Sequence, residues 1–434
     1  MNLINRLIRH ELVSGSFYIF LGTFSSNILA FLLNLFLARN LTYSDYAIYA
    51  SLLSVITLAA VPANSLNTII VKYATGFFAK EKIGELKSFY LFFLKVIILM
   101  SVLIIFIFSI FSVPFKNYLR IDNSGYIVIS GVVIVTLYFN MLNSAYLQSL
   151  LKFKFLSFSV TFGGLIKILT GILFVFLGFR AFSGLYAIIF MAMGTFLIAF
   201  VPLINILKAK EIKIKQLKNE MLGGYVFSTF VTVLFLTSFT SSDVILVKHF
   251  FSPQMAGFYS GMSLIGKVIF YFTAPISMVM FPILIKRHAM GRNFINTFYL
   301  SLFLVFLPSV AISIFYFLFP DFVIKLFLGG RDYLFIAKYL GIFGLNLTIF
   351  SLLNVCINFF LSLGRTKIVF PVTVAAILQI ILIYVYHGNF YQVIGVSMLV
   401  SVILMVILVI GFLKTFGNIN KLKETVSVVN STTV

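Results

Sequence analysis

Leu37-Ala-Arg-Asn-Leu-Thr-Tyr-Ser-Asp-Tyr-Ala-Ile-Tyr49 separates two long apolar runs near the start of this 434-residue chain, and it returns in the second half. Leu37-Ala38-Arg39-Asn40-Leu41 reappears as Leu246-Val247-Lys248-His249-Phe250. After one inserted residue, Ala47-Ile48-Tyr49-Ala50 reappears as Gly257-Phe258-Tyr259-Ser260. Further on, Ser149-Leu150 with Lys152 and Lys154 matches Ser362-Leu363 with Arg365 and Lys367, at a separation of 213 residues. Each match falls at the same end of an equivalent apolar run, which is the mark of an internal duplication.

The runs themselves decide the class. The chain is 61% hydrophobic and 10% charged, against roughly a quarter charged in a soluble domain. Its mean hydropathy is +1.12, so no polar coat for a globular surface exists. Each run is long enough to cross a hydrocarbon layer about 30 Å thick. In lipid the backbone must satisfy its own hydrogen bonds, so these runs are helices. Spans are expected at 15–38, 46–71, 88–113, 126–150, 157–179, 182–207, 222–247, 256–285, 295–319, 336–361, 368–386 and 392–413, with kinks at Pro62 and Pro275. The stretch from Gly15 to Leu37 is too long for a signal-peptide core and is expected to stay as the first span.

The formal charge of +21 does not point to nucleic acid, because the basic residues sit in short breaks between spans. Of the 32 Lys and Arg residues, 21 fall on the side of the N-terminus, eight on the other, and Lys95, Lys167 and Lys267 lie inside spans. The positive-inside bias therefore puts both termini in the cytoplasm. With no Trp, Tyr at span ends serves the interfacial belts. The lone Cys356 permits no intrachain disulfide.

Six spans per half keep the second copy in the orientation of the first, so the repeats are parallel. The expected fold is an all-α integral membrane protein, with twelve transmembrane helices in two six-helix bundles around a central cavity. The expected parts are an N-terminal bundle (1–207), a basic cytoplasmic linker (208–221), a C-terminal bundle (222–413) and a cytoplasmic tail (414–434). Paired bundles of this kind can open to either side by rocking, which points to transport.

Ionisable groups inside spans are costly and usually face a bundle interior or water. Lys167 shares a helical face with Gly163, Gly164, Thr170 and Gly171, a small-residue packing face, and is expected to point inward; the bland alternative is snorkelling to a headgroup. Lys267 shares a stripe with Ser260, Ser263 and Tyr271, the pattern of one wet helical face, unless it simply pairs with Asp243. Lys95 has apolar neighbours near a span end and is expected to snorkel. Asn27 and Asn34 on span 1 either line the cavity or bond between helices. Asp243 either pairs with Lys248 or serves as a cation-coupling carboxylate. Asn354 and Asn358 on span 10 and Gln379 on span 11 are further cavity candidates.

Several chemistries are missing from the sequence. It has no phosphate-binding glycine loop, no HExxH and no histidine inside a span, and its outer loops run to about 16 residues at most. No catalytic or metal site and no cofactor is expected, and the chain is not expected to be an enzyme.

The segment Leu37–Tyr49 resembles the end of the first span in bacterial polysaccharide (O-antigen) flippases of the MOP superfamily. Phe251-Ser-Pro-Gln-Met-Ala-Gly-Phe-Tyr259 is similar to the same family's second-half motif, and Leu328-Gly-Gly-Arg-Asp-Tyr333 and Leu361-Ser-Leu-Gly-Arg-Thr-Lys367 also fit. Ala47 departs from the family's usual glycine, which the second half keeps as Gly257. The resemblance implies a MATE-like fold and an inner-membrane flippase for an undecaprenyl-diphosphate-linked oligosaccharide, an O-antigen or capsule repeat unit. It also implies alternating access driven by a coupling cation, sodium or proton, with membrane lipids and a polymerase of the same glycan pathway as partners. On this reading Lys167 and Lys267 neutralise the diphosphate, with Arg39 and Lys248 at the outer mouth. The sugar finds partners among Asn27, Asn34, Ser263, Tyr271, Asn354, Asn358 and Gln379, and Asp243 is the ion-coupling carboxylate.

Two rivals predict other residues. A MATE-type drug or metabolite exporter favours buried carboxylates, and Asp243 is the only acid in a span. A membrane glycosyltransferase or O-antigen polymerase requires a catalytic base and a long outer loop.

Overall fold

The computed structural model describes residues 11–212, 224–289, 294–329 and 332–431, and among these every regular element is helical. Residues 213–221 of the basic linker, the N-terminal Arg6, Arg9 and His10, and Arg292, Gly330 and Arg331 lie outside the described residues. In the first half the helices are α1 (Glu11–Asn40), α2 (Tyr43–Ala59), α3 (Val61–Ala79), α4 (Ile83–Ile110), α5 (Ser112–Tyr118), α6 (Gly125–Ser149), α7 (Phe153–Phe176) and α8 (Phe182–Phe200). The second half has α9 (Gly224–Phe239), α10 (Ser242–Phe250), α11 (Pro253–Ala289), α12 (Ile295–Leu318), α13 (Pro320–Leu328), α14 (Ala337–Ser362), α15 (Val369–Val385) and α16 (Phe390–Ser431). Eleven helices are long and apolar enough to span a membrane, and the pair α9–α10 makes a twelfth if it is one bent span.

Two breaks have chemical causes. At Pro62 the helix divides into α2 and α3, since proline has no N–H to donate and crowds the preceding turn. Beyond it the Ala63 N–H bonds Ala60 O in place of Ala59 O, and the Ala59 carbonyl accepts the Tyr138 hydroxyl of α6 at 3.1 Å, so a neighbouring helix supplies the donor. Between α9 and α10 the span bends by 45°, a feature the apolar run does not announce. The cause is the hydroxyl cluster Thr237-Ser-Phe-Thr-Ser-Ser242. Thr237 donates to the Val233 carbonyl, Thr240 to that of Thr237, and Ser242 to that of Ser238. Such local bonds compete with the helical ladder and bend helices. α11, by contrast, runs on past Pro275 to Ala289.

The duplication is visible in the helix ends. α1 ends at Asn40 and α2 begins at Tyr43; α10 ends at Phe250 and α11 begins at Pro253. Both starts carry a hydroxyl cap, Thr42 to the N–H of Asp45 at 3.2 Å and Ser252 to that of Met255 at 3.4 Å. α6 and α14 close alike: Lys152 N–H bonds to Leu147 O at 2.9 Å, and Arg365 N–H to Phe360 O at 3.0 Å. The residue before each donor is left-handed, Leu151 (φ 56°) and Gly364 (φ 70°).

The chain forms two compact units, one of residues 1–264 with 324–335 and the other of 265–323 with 336–434. In the first, α7 packs between α1 and α8, and α6 lies against α3, α4 and α8. A buried relay ties three of these helices together: Tyr90 of α4 donates to Asn143 of α6 at 2.8 Å, and Asn143 donates to the Phe196 carbonyl of α8 at 3.2 Å. In the second unit α14 packs against α12 and α16, and α15 lies on α16. Burial ranks the spans: 17% of the apolar window of α4 lies inside the molecule against 72% for the span containing α14, so α4 presents to lipid.

Candidate functional site

Glycine sets the surroundings of the first intramembrane cation. On α7, Gly164 comes against Ser26 and Leu29 of α1, and Gly171 against Leu33; on its other side Gly163 meets Thr195 and Met191 of α8. A Cβ at any of these positions would crowd the neighbouring helix, so α7 is wedged between two partners. The contacts Gly22–Ser157, Ser26–Gly164 and Leu33–Gly171 ascend together, so α1 and α7 run parallel. At about 100° per residue, Lys167 points between the α1 seam and the α8 seam, and Asn27, Ala30 and Asn34 lie on the same side of the α1–α7 seam.

Lys167 is half-buried there, and no carboxylate or hydrogen-bond acceptor among the described residues meets its ammonium group. Asn27 is exposed, and Asn34 is half-buried with its amide donating to the Ala30 carbonyl at 2.8 Å. Lys95 differs, standing exposed on α4, the span least enclosed by protein.

At the α1–α2 junction the first unit builds a collar from the repeated motifs. Arg39 donates through Nε to the Phe327 carbonyl at 2.7 Å and through Nη2 to that of Leu326, capping the last turn of α13 with a cation. Gly329, left-handed at φ 69°, closes that helix, which gives the Leu328-Gly motif its physical sense. Tyr43 donates to Asp332 at 2.9 Å, and Tyr333 to the Ala38 carbonyl at 3.2 Å. The rings of Tyr43, Phe258 and Tyr333 lie 5.0–5.6 Å apart, mutually edge-on. A Cβ on Gly257 would collide with the Tyr43 carbonyl, so the second-half glycine is demanded by close approach.

The collar is also charged. The Thr42 hydroxyl donates to the Asp45 carboxylate at 2.7 Å and accepts the Asp45 N–H at 3.2 Å, an N-cap tied to its own acid. Arg180, from the turn between α7 and α8, reaches the same buried carboxylate at 3.2 Å. Hydrogen bonding to Asp45 raises the Arg180 guanidinium above its ordinary value.

Asp243 and Lys248 do not show the plain pairing. Asp243 accepts the Tyr259 hydroxyl at 2.8 Å and the Val244 N–H at 2.8 Å, while Lys248, only 2% exposed, donates to the Arg120 carbonyl at 3.4 Å. The next residue, His249, stacks on Tyr118 at 4.1 Å and bonds its carbonyl. The expected wet stripe of α11 is dry at Ser260 and Ser263, which are both buried where Gly261 packs under Tyr333 and Leu328.

In the second unit Lys267 is half-buried and Tyr271 exposed. Asn354 and Asn358, one turn apart, bond to each other at 2.9 Å, which occupies part of their capacity within α14. Gln379 is fully buried and donates to Ser397 of α16 at 3.0 Å, a contact between helices in place of the cavity-lining position expected of it. Sequence reasoning missed Asp45, Arg180, Asp332 and Tyr333. The first could have been found from Thr42-Tyr-Ser-Asp45, which has capping-box spacing.

A bundle of eleven or twelve apolar spans, with a half-buried cation set by glycine and a polar collar at its motif ends, is a multi-pass membrane protein of transporter architecture. The chain belongs to the polysaccharide biosynthesis protein family, which it matches over residues 36–337. Its fold is shared with MOP-superfamily transporters of known structure. The lipid II flippase MurJ in an inward closed conformation superposes with a TM-score of 0.69 at 17% identity, over 91% of this chain and 87% of that one. An inward-facing multidrug resistance MATE family transporter of the MOP superfamily superposes at 0.71 and 14%, over 94% and 96%. A MOP superfamily transporter from Pyrococcus furiosus, described as having a binding pocket of reversed polarity, gives 0.60 and 14%, over 95% and 96%. No curated protein sequence matches the chain.

Proposed function

We propose that this protein is a flippase that carries an undecaprenyl-diphosphate-linked oligosaccharide, of the O-antigen or capsule class, from the cytoplasmic to the outer leaflet of the bacterial inner membrane. Both termini are cytoplasmic in this reading, transport proceeds by alternating access, and a sodium or proton gradient drives it through Asp243. The observation that carries the proposal is Lys167: a cation held half-buried in a span, unmatched by acid among the described residues, beside the amide-bearing face of α1. A diphosphate must shed water to cross a low-dielectric layer, and a desolvated ammonium group is the partner that offsets this cost. Asn27 and Asn34 offer amides to the sugar, and Lys267 is the other intramembrane cation the proposal enlists. Membership of a polysaccharide biosynthesis family supports the glycan part.

The test is Lys167→Ala in cells that depend on this protein for surface glycan. Loss of display at normal protein level, with lipid-linked units assembled but held in the inner leaflet, is the expected result. Normal display would overturn it, and single units accumulating outside would indicate a polymerase instead.

A further inference from the structure

The second unit carries an apolar groove along α14, apart from Lys267 and Gln379. Its floor is one stripe of α14, Leu352, Cys356 and Phe360, which spans about 12 Å at 1.5 Å per residue. Tyr299 and Phe303 of α12 form one wall, and Val409 and Leu413 of α16 the other. Cys356 and Phe360 of the floor are buried and Leu352 is half-buried, while these wall residues are exposed, because α12 and α16 each pack on α14 and leave a trough along it. The space measures about 510 Å³ and its lining is almost wholly apolar.

One end of the trough is aromatic and then cationic. Phe298, Phe359 and Phe412 close it, with ring centres 4.1–5.7 Å apart. Immediately beyond, Arg287 donates to Thr297, the residue before Phe298, at 2.6 Å. Lys414 follows Leu413 directly, and the Arg365 N–H folds back onto the Phe360 carbonyl, bringing Arg365 and then Lys367 to the same end. Four basic residues therefore belong to the end where the apolar trough stops.

The geometry points to this groove as a binding site for the polyprenyl chain of a lipid-linked diphosphate, with the diphosphate among Arg287, Arg365, Lys367 and Lys414. This rests on the transport reading above. The charge selects the occupant: a phospholipid headgroup brings one phosphate to four cations, whereas a diphosphate brings two. A site here would hold the substrate's tail and headgroup on the outer face of α12, α14 and α16 in the leaflet on their basic side.

The test uses the full-length protein in phosphatidylcholine nanodiscs and a sugar-free polyprenyl diphosphate bearing a diazirine along its chain. Irradiation is expected to place adducts on α12 and α16 at the groove walls. Val409→Trp, which fills the trough from an exposed wall, is expected to lower labelling about tenfold, and Arg287→Gln with Lys414→Gln to lower it by a similar factor. Excess phosphatidylglycerol is expected to leave it unchanged. Adducts spread evenly over lipid-facing helices, or erased by phosphatidylglycerol, would overturn the proposal. Reorientation of the same probe in proteoliposomes separates the two readings. Transport without groove labelling removes the groove alone, while labelling without transport keeps the groove and removes the flippase.

Discussion

The Tyr43 hydroxyl donates to the Asp332 carboxylate at 2.9 Å, joining residues 289 positions apart in the chain. The bond is solvent-exposed, so its worth lies at the bottom of the range for a hydrogen bond to a charged group, about 1.5 kcal/mol or less. Tyr43→Phe and Asp332→Asn should each lower the melting temperature in detergent, and the double variant should fall no further than the larger single effect. Additive losses would show that the two residues act separately.

Lys167 and Lys95 are both lysines in spans, but their settings differ. Lys95 is exposed on the span least enclosed by protein, whereas Lys167 is half-buried between α1 and α8. Lys95→Ala is therefore expected to leave glycan display within about twofold of wild type, and Lys167→Ala to lower it by tenfold or more. Lys167→Arg should restore part of the loss, since the charge is kept. Equal effects of the two alanine variants would remove the distinction.

Leu151 sits at φ 56° where its counterpart Gly364 sits at φ 70°. A left-handed backbone costs a Cβ-bearing residue about 1 kcal/mol, and Leu151 is half-exposed, so little packing is lost on its removal. Leu151→Gly should be neutral to stabilising in thermal melts, while Gly364→Leu should destabilise by about 1 kcal/mol. A large loss on Leu151→Gly would mean that the side chain packs more than its exposure suggests.

Asp45 is buried and its carboxylate accepts from both the Thr42 hydroxyl and Arg180, whose side chain is 64% exposed. Asp45→Ala removes the Thr42 hydroxyl's bond to the carboxylate, worth about 1.5–3 kcal/mol, together with the ion pair, which is worth about 1 kcal/mol or less with an exposed partner; Arg180→Ala removes the ion pair alone. Asp45→Ala should therefore destabilise clearly more than Arg180→Ala in the same melting assay. The order should persist at high salt, which screens the ion pair more than the short Thr42 hydrogen bond.

Much of this was legible in advance. The apolar runs specified an all-helical membrane protein, and the positions of the helix ends at Asn40 and Phe250, and at Ser149 and Ser362, follow the duplicated motifs. The break at Pro62 was readable because proline lacks a donor. The 45° bend before Asp243 escaped the apolar pattern because hydroxyls that bond their own backbone cost little hydropathy. The stripe from Ser260 to Tyr271 has the period of a wet helical face, yet periodicity reports only that residues share a face. Whether that face meets water or protein depends on other segments. Gln379 meets the same limit, since an amide in a span serves a neighbouring helix as readily as a substrate.

Hydrophobicity is a property of composition and order, so the chain alone determined its class and its spans. Tertiary structure alone decided which side chains meet. Arg39 finds the carbonyls of Leu326 and Phe327, Tyr43 finds Asp332, and the face carrying Lys167 opens between α1 and α8. These pairings join segments far apart in the sequence. They depend on how closely the glycines let helices approach, a distance that no one-dimensional pattern encodes.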